Sequence, residues 1–200
     1  MITKKKFYAY ALPDGRQGVL DNWRACETLV SGVKGARYKG FASLDEAKAW
    51  LAGGVKYGRN KALEPGIYFD AGTGRGDGVE VSVTDEKGNS LLDRILPVNQ
   101  INRYGKHTLR GDVTNNFGEL LACSFALQIA LKTRVKKIFG DSKLILDYWS
   151  QGYIKSREAA PETVQLARSV VKLRKEFEDK GSKLEYVSGE DNPADLGFHK

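Results

Sequence analysis

The sequence predicts an α/β protein in two parts, a small basic α/β module followed by a larger domain with a five-stranded mixed sheet flanked by helices. Three observations predict it. From Pro65 onward the patterns run strand, strand, strand, helix, strand, helix, helix, strand, with no internal repeat. Residues 1 to 60 hold 11 Lys/Arg against 5 Asp/Glu, so nearly all of the net charge of +7 lies in the first third of the 200-residue chain. Between the two parts, Val55 to Glu64 is polar and basic and follows Gly53-Gly54, which reads as a linker. The expected boundaries are a domain over 1–53, a linker over 54–64 and a second domain over 65–200.

In the first module, Lys6 to Leu12 and Gln17 to Leu20 read as strands around a Pro13-Asp14-Gly15 turn, and Asn22 to Leu29 as a helix. A second strand and helix follow. Ser43 with Glu46 three residues on forms a capping box, and Leu44, Ala47 and Leu51 then share a face. Phe7 and Phe41 are the expected core aromatics. Tyr8 and Trp23 are interleaved with Arg24, Arg37 and Lys39, which suits a surface platform for stacking on a polyanion as well as a core.

In the second part, Ile67 to Ala71, the alternating Val79, Val81 and Val83, and Ser90 to Val98 are expected as a three-stranded meander. Thr114 to Lys132 is apolar on more than one face and should be the most buried helix. Val135 to Phe139 is a short strand running into Gly140-Asp141-Ser142. A short helix around Leu144 to Trp149, a long helix marked by Val164, Ala167, Val170 and Phe177, and a last strand Lys183 to Val187 complete the order.

Composition excludes several classes. Hydrophobic residues make up 41% and charged residues 28%, and no apolar run reaches the ~20 residues of a membrane span. The first residues lack the features of a secretory signal, so a cytoplasmic location is expected. Cys26 and Cys123 are too few for a disulfide framework and are expected as buried thiols. A basic module points to a polyanionic partner, nucleic acid first and an acidic membrane surface second.

Four acids sit at awkward places for a charge. Asp70 ends an apolar strand, Glu119 lies about one turn inside the most apolar helix, Asp141 lies where a strand hands over to a helix, and Asp195 follows Asn192-Pro193-Ala194. Buried carboxylates cost several kcal/mol unless a cation compensates, and hard divalent ions favour carboxylate oxygens. Each also has a plainer explanation: Asp70 can open the Gly72-Thr73-Gly74 turn, Asp141 can cap a helix, and Glu119 can sit at an exposed helix start. The run Gly72 to Gly78 is not a nucleotide-binding glycine motif, because a strand rather than a helix follows it. Those glycines instead suit a hairpin that a nucleic-acid backbone can approach.

Four segments together, Tyr68-Phe69-Asp70-Ala71-Gly72-Thr73-Gly74, Thr114-Asn115-Asn116-Phe117-Gly118-Glu119-Leu120, Phe139-Gly140-Asp141-Ser142 and Asn192-Pro193-Ala194-Asp195, resemble ribonuclease H type 1 in order and spacing. The resemblance implies the ribonuclease H-like fold. It also implies an endonuclease that cuts the RNA strand of RNA/DNA hybrids, leaving 5′-phosphate and 3′-hydroxyl ends. It assigns two Mg²⁺ ions, or Mn²⁺ in their place, to Asp70, Glu119, Asp141 and Asp195. It places Asn115 and Asn116 against RNA 2′-hydroxyls and Thr114 on a DNA phosphate, with Gly72 and Thr73 as further substrate contacts. Where many relatives carry a loop histidine this chain has Glu190, which either serves as a proton acceptor or is an ordinary loop acid. His107 and His199 are elsewhere. Segments Phe7-Tyr8-Ala9, Trp23-Arg24-Ala25-Cys26 and Arg37-Tyr38-Lys39-Gly40-Phe41 resemble the hybrid-binding domain that precedes many of these enzymes. That resemblance gives Tyr8, Trp23, Arg37 and Lys39 to substrate binding. A monomer is the expectation. The alternatives are a non-catalytic binding protein of the same fold and a nuclease acting mainly on double-stranded RNA.

Overall fold

The computed structural model describes residues 6–33, 36–52, 63–73, 78–155, 157 and 159–195, apart from the side chain of Glu190. Residues 54–62 of the expected 54–64 linker, Gly74, Gly76, His199 and the Glu190 side chain lie outside the described residues. The chain divides into two compact units at Ala62 and Leu63.

The first unit is a three-stranded antiparallel sheet with two helices. Strands β1 (Phe7–Ala11), β2 (Gln17–Leu20) and β3 (Arg37–Phe41) lie in the order β2-β1-β3. Helix α1 (Trp23–Val30) starts where Asn22 accepts from the backbone N–H of Arg24 and Ala25. Helix α2 (Leu44–Ala52) starts at a reciprocal box: Glu46 N–H donates to Ser43 Oγ at 3.2 Å, and Ser43 N–H to Glu46 Oε2 at 3.3 Å. Among the described residues of this unit, Ala9, Ala11, Leu12, Cys26, Val30 and Ala47 are buried. Phe7 and Phe41, expected as core, are only half-buried. They pair with each other at the end of the β1–β3 ladder, and Phe41 rests on the Trp50 ring 6.0 Å away. Small alanines fill the middle of the sheet instead, where a helix packs close.

The second unit is a five-stranded mixed sheet, β6-β5-β4-β7-β8. Strands β4 (Ile67–Gly72), β5 (Val79–Asp85) and β6 (His107–Leu109) are antiparallel neighbours, while β7 (Lys137–Gly140) and β8 (Lys183–Tyr186) extend the sheet in parallel with β4. Helix α3 (Asn115–Thr133) lies on β4 and β5, α5 (Pro161–Asp179) packs on α3, and the short α4 (Lys143–Asp147) follows β7. Phe69, Val81, Leu120, Cys123, Leu127, Ile138 and Val170 join in one buried core. On the other face Tyr68 stacks on Phe139 at 4.7 Å, with Ala194 beside them.

The third strand corrects the sequence reading. Ser90 to Val98 is not a strand: only Ser90 bridges to Thr84, and Leu92–Arg94 and Val98–Gln100 are 3₁₀ turns. The apolar pairs Leu91-Leu92 and Ile95-Leu96 recur at four residues, which is helical spacing, and Leu92 is fully buried. The sheet takes His107–Leu109 as its edge strand in their place.

Candidate metal and nucleic-acid site

Close helix-to-sheet packing sets the position of the site. A Cβ on Gly118 would lie 2.3 Å from Val79 Cγ1 and 3.1 Å from Ala71 Cβ, so only glycine lets α3 approach this near. Glu119 is the next residue and is carried against the end of β4. On its other side the β4–β7 ladder stops at the Phe69–Gly140 pair, and a Cβ on Gly140 would meet the Phe69 ring at 2.3 Å. Asp70 is the first β4 residue beyond that ladder, and Asp141 is the first residue after β7. The two therefore emerge beside each other where two parallel strands end.

Asp70, Glu119 and Asp141 each place a carboxylate oxygen within 4.8 Å of the others. Asp70 and Glu119 are buried and Asp141 is half-buried. Burial, followed by the charges of Asp70 and Asp141 and a hydrogen bond with Asp70, pushes the Glu119 carboxyl up to about 9; the Ala71 N–H bonded to it opposes the shift. Glu119 Oε2 is nevertheless buried without a hydrogen-bond partner. A crowded all-oxygen donor set with one orphaned buried oxygen fits a hard divalent cation.

Asp195 is not one of the three gathered acids. It is half-buried at the end of a segment tied to β4 by Asn192, whose Nδ2 donates to Phe69 O at 3.0 Å and whose Oδ1 accepts from Ala194 N–H at 3.1 Å. The strap thus holds Asp195 near the strand that carries Asp70. Glu190 belongs to the short turn Gly189–Asp191 in that segment.

The expected substrate residues fall in two places. Thr114 caps α3, accepting from Phe117 N–H at 3.2 Å, and Thr114, Asn115 and Asn116 are exposed one turn before Glu119. Gly72 ends β4 opposite Glu80, and Thr73 is half-buried beside it. In the first unit, Trp23 lies between Tyr8 and Tyr38, each 5.4 Å away between ring centres. All three are half-buried, one edge packed on Leu12, Cys26 and Val30; Arg37 is half-buried and Lys39 exposed. The same rings are thus partly in the core and partly at the surface.

Two positioning residues were not apparent from the sequence. The sequence marks Asn192 only as part of a motif, whereas its amide makes the strap. Arg174 on α5 donates to Leu146 O and Ser150 Oγ, both at 2.6 Å, and so fixes the helix that follows Asp141. Nothing in the α5 periodicity marks it. His107 has a structural role: Nδ1 lies 2.9 Å from Gln100 O and the ring meets Phe125 edge-on.

Residues 6–51 match the family model described as the ribonuclease H1 N-terminal domain. Among solved structures, the chain is similar to the N-terminal RNase H domain of a Mycobacterium tuberculosis protein, solved as a fusion with maltose-binding protein. That likeness has 20% sequence identity and a TM-score of 0.40, and covers 64% of this chain and 84% of that one. Residues 6–51 are thus similar to the ribonuclease H1 N-terminal domain, and the unit that follows is a five-stranded mixed sheet flanked by helices.

Proposed function

We propose that the protein is an endonuclease of the ribonuclease H type 1 class that hydrolyses the RNA strand of RNA/DNA hybrids, leaving 5′-phosphate and 3′-hydroxyl ends. The observation that carries this reading is the gathering of Asp70, Glu119 and Asp141 within 4.8 Å around an orphaned buried oxygen. When bound, two Mg²⁺ or Mn²⁺ ions supply water activation and charge neutralisation at the phosphate. Asp70, Glu119 and Asp141 hold them, and Asp195 joins the set from its strap.

The chain's own residues orient the substrate. Asn115 and Asn116 meet RNA 2′-hydroxyls in the minor groove, and Thr114 meets a DNA phosphate while still capping α3. Gly72 and Thr73 allow the backbone to approach. Glu190 accepts a proton as product leaves. The first domain, over 1–53, binds the hybrid through Tyr8, Trp23, Arg37 and Lys39, and the linker over 54–64 keeps substrate near the catalytic domain over 65–200. No helix among the described residues is long and apolar enough to cross a membrane. We place the protein in the cytoplasm as a monomer.

The test is cleavage of an end-labelled RNA/DNA hybrid with Mg²⁺ or Mn²⁺, beside EDTA, an Asp70→Asn variant, and RNA/RNA and DNA/DNA duplexes. RNA cutting confined to the hybrid, dependent on metal and lost in the variant, is expected. Binding without cutting under both metals overturns the proposal in favour of a non-catalytic binding protein, and preferential cutting of RNA/RNA reassigns the substrate.

A further inference from the structure

A cavity of about 560 Å³ opens beside the edge strand β6 and is lined by residues with no part in the acid cluster. Its floor is a fixed polar network. Glu80 is buried and accepts from Asn102 Nδ2 at 2.8 Å; the same amide lies 3.1 Å from Thr108 Oγ1. Asn102 Oδ1 in turn accepts from the backbone N–H of Tyr104 and Lys106, at 2.9 and 3.1 Å. One side chain therefore locks the turn before β6 onto β5, so the two residues at its tip are presented in a set geometry.

Those residues are Arg103 and Tyr104. The Arg103 guanidinium donates to the Tyr104 hydroxyl at 2.6 Å and sits 4.8 Å from the ring centre, while Tyr104 remains 40% exposed. Arg110, the first residue after β6, is exposed on the same cavity. Two exposed guanidiniums and one buried carboxylate leave the wall net positive, with an exposed aromatic ring beside one of the cations. A planar, anionic ligand suits this combination: guanidinium forks match phosphate oxygens, and a base stacks on the aromatic face.

Register connects the cavity to the acids. Gly72 pairs with Glu80 and Glu80 with Thr108, so one row crosses from the strand bearing Asp70 to the cavity. Two interstrand spacings of ~4.8 Å make about 10 Å, the axial rise of roughly three nucleotides. We propose that this cavity is a nucleotide subsite in which Arg103 and Arg110 hold a phosphodiester and Tyr104 stacks a base, engaging the substrate strand a few nucleotides from the acid cluster. The inference rests on the proposed function and extends it to the length of strand the enzyme reads.

The test measures affinity of the full chain for a short RNA/DNA hybrid with a single-stranded overhang, in EDTA, across roughly 50 to 200 mM salt. The Arg103→Ala/Arg110→Ala variant is expected to flatten the slope of log K against log salt by about 0.7 to 2, the release of one or two phosphate contacts. Tyr104→Leu is expected to weaken binding about tenfold at unchanged slope, with Tyr104→Trp restoring it. Arg168→Ala/Lys172→Ala, which removes two exposed charges on α5, controls for general electrostatics. A slope unchanged from wild type, or shifted no more than in that control, overturns the subsite. So does a Tyr104→Leu affinity equal to wild type. Cleavage by the wild-type chain is followed in parallel with Mg²⁺: its absence sinks the proposed function itself, whereas intact cleavage with an unchanged slope sinks the subsite alone.

Discussion

Replacing Glu119 by Gln should remove a pH dependence of stability that the acid cluster imposes on the metal-free protein. Two like charges 4.8 Å apart, at an effective dielectric of ~20, repel by roughly 3 to 4 kcal/mol, so the three acids cannot all ionise cheaply. A proton on Glu119 relieves the repulsion, in keeping with a carboxyl pushed up to about 9 by burial and by Asp70 and Asp141. The unfolded chain releases that proton near the ordinary value of 4.5. Between the two values the folded state binds the extra proton, so stability is greatest below 4.5 and declines as pH rises toward 9. From pH 6 to pH 8 the loss from this one group is about 3 kcal/mol, at ~1.4 kcal/mol per pH unit. Glutamine keeps the shape without the titration, and the difference between variant and wild type cancels the groups outside the Asp70–Glu119–Asp141 cluster. Urea denaturation in EDTA, read by amide exchange across α3, should show wild type losing about 3 kcal/mol more than Glu119→Gln over this interval. Excess Mg²⁺ should restore wild type at pH 8 far more than the variant, because only deprotonated carboxylates bind the ion. Parallel stability curves for the two proteins in EDTA would refute the reasoning.

Three further outcomes are expected. Gly118→Ala drives a methyl into Val79 Cγ1 and should cost about 1 to 3 kcal/mol; denaturation of Gly118→Ala/Val79→Ala should recover part of it, and strictly additive losses would refute the contact. Asn192→Ala strands Phe69 O and Ala194 N–H, so a loss of about 1 to 3 kcal/mol is expected together with reduced metal-dependent cleavage; loss of stability alone would separate Asp195 from the strap. Burial pushes the Cys123 thiol up to about 12 and the Cys26 thiol to about 11, so neither should react with a thiol reagent at pH 8 until the chain unfolds, and prompt labelling of the native protein would contradict both burials.

Local signals were legible wherever one interaction dominated. The Ser43–Glu46 box, the all-round apolar α3 and the acids at the ends of β4 and β7 follow from spacing and side-chain chemistry alone. What escaped depended on partners distant in sequence. Ser90 to Val98 has strand-like composition, but its apolar pairs are drawn inward as 3₁₀ turns because Leu92 finds a place in the core. Phe7 and Phe41 stand at the end of the β1–β3 ladder, and Ala9 and Ala11 take the buried positions along β1 instead. At the site, motif order pointed to four acids, of which the structure gathers Asp70, Glu119 and Asp141, yet the feature that makes Glu119 unusual is an approach permitted by Gly118 between α3 and β5. Neither that approach nor the reach of Asn192 to Phe69, 123 residues away, has any local signature.

The division of charge between the units has a consequence for the proposed function. Residues 61 to 200 hold 21 basic and 20 acidic residues, and three of those acids converge on one point. Such a unit has no net field to draw a polyanion toward its own carboxylates. Residues 1 to 60, at a net +6, carry the attraction instead. Screening limits bare electrostatics to about 8 Å at physiological ionic strength, so the first unit acts by holding substrate in contact and not by steering from afar. Hybrid affinity should then lose most of its salt dependence when the basic residues of the first unit are replaced, while cleavage at saturating hybrid remains. A salt slope that survives those replacements by more than the one or two phosphate contacts of Arg103 and Arg110 would place the main polyanion-binding charge in the second unit, against the composition of the chain.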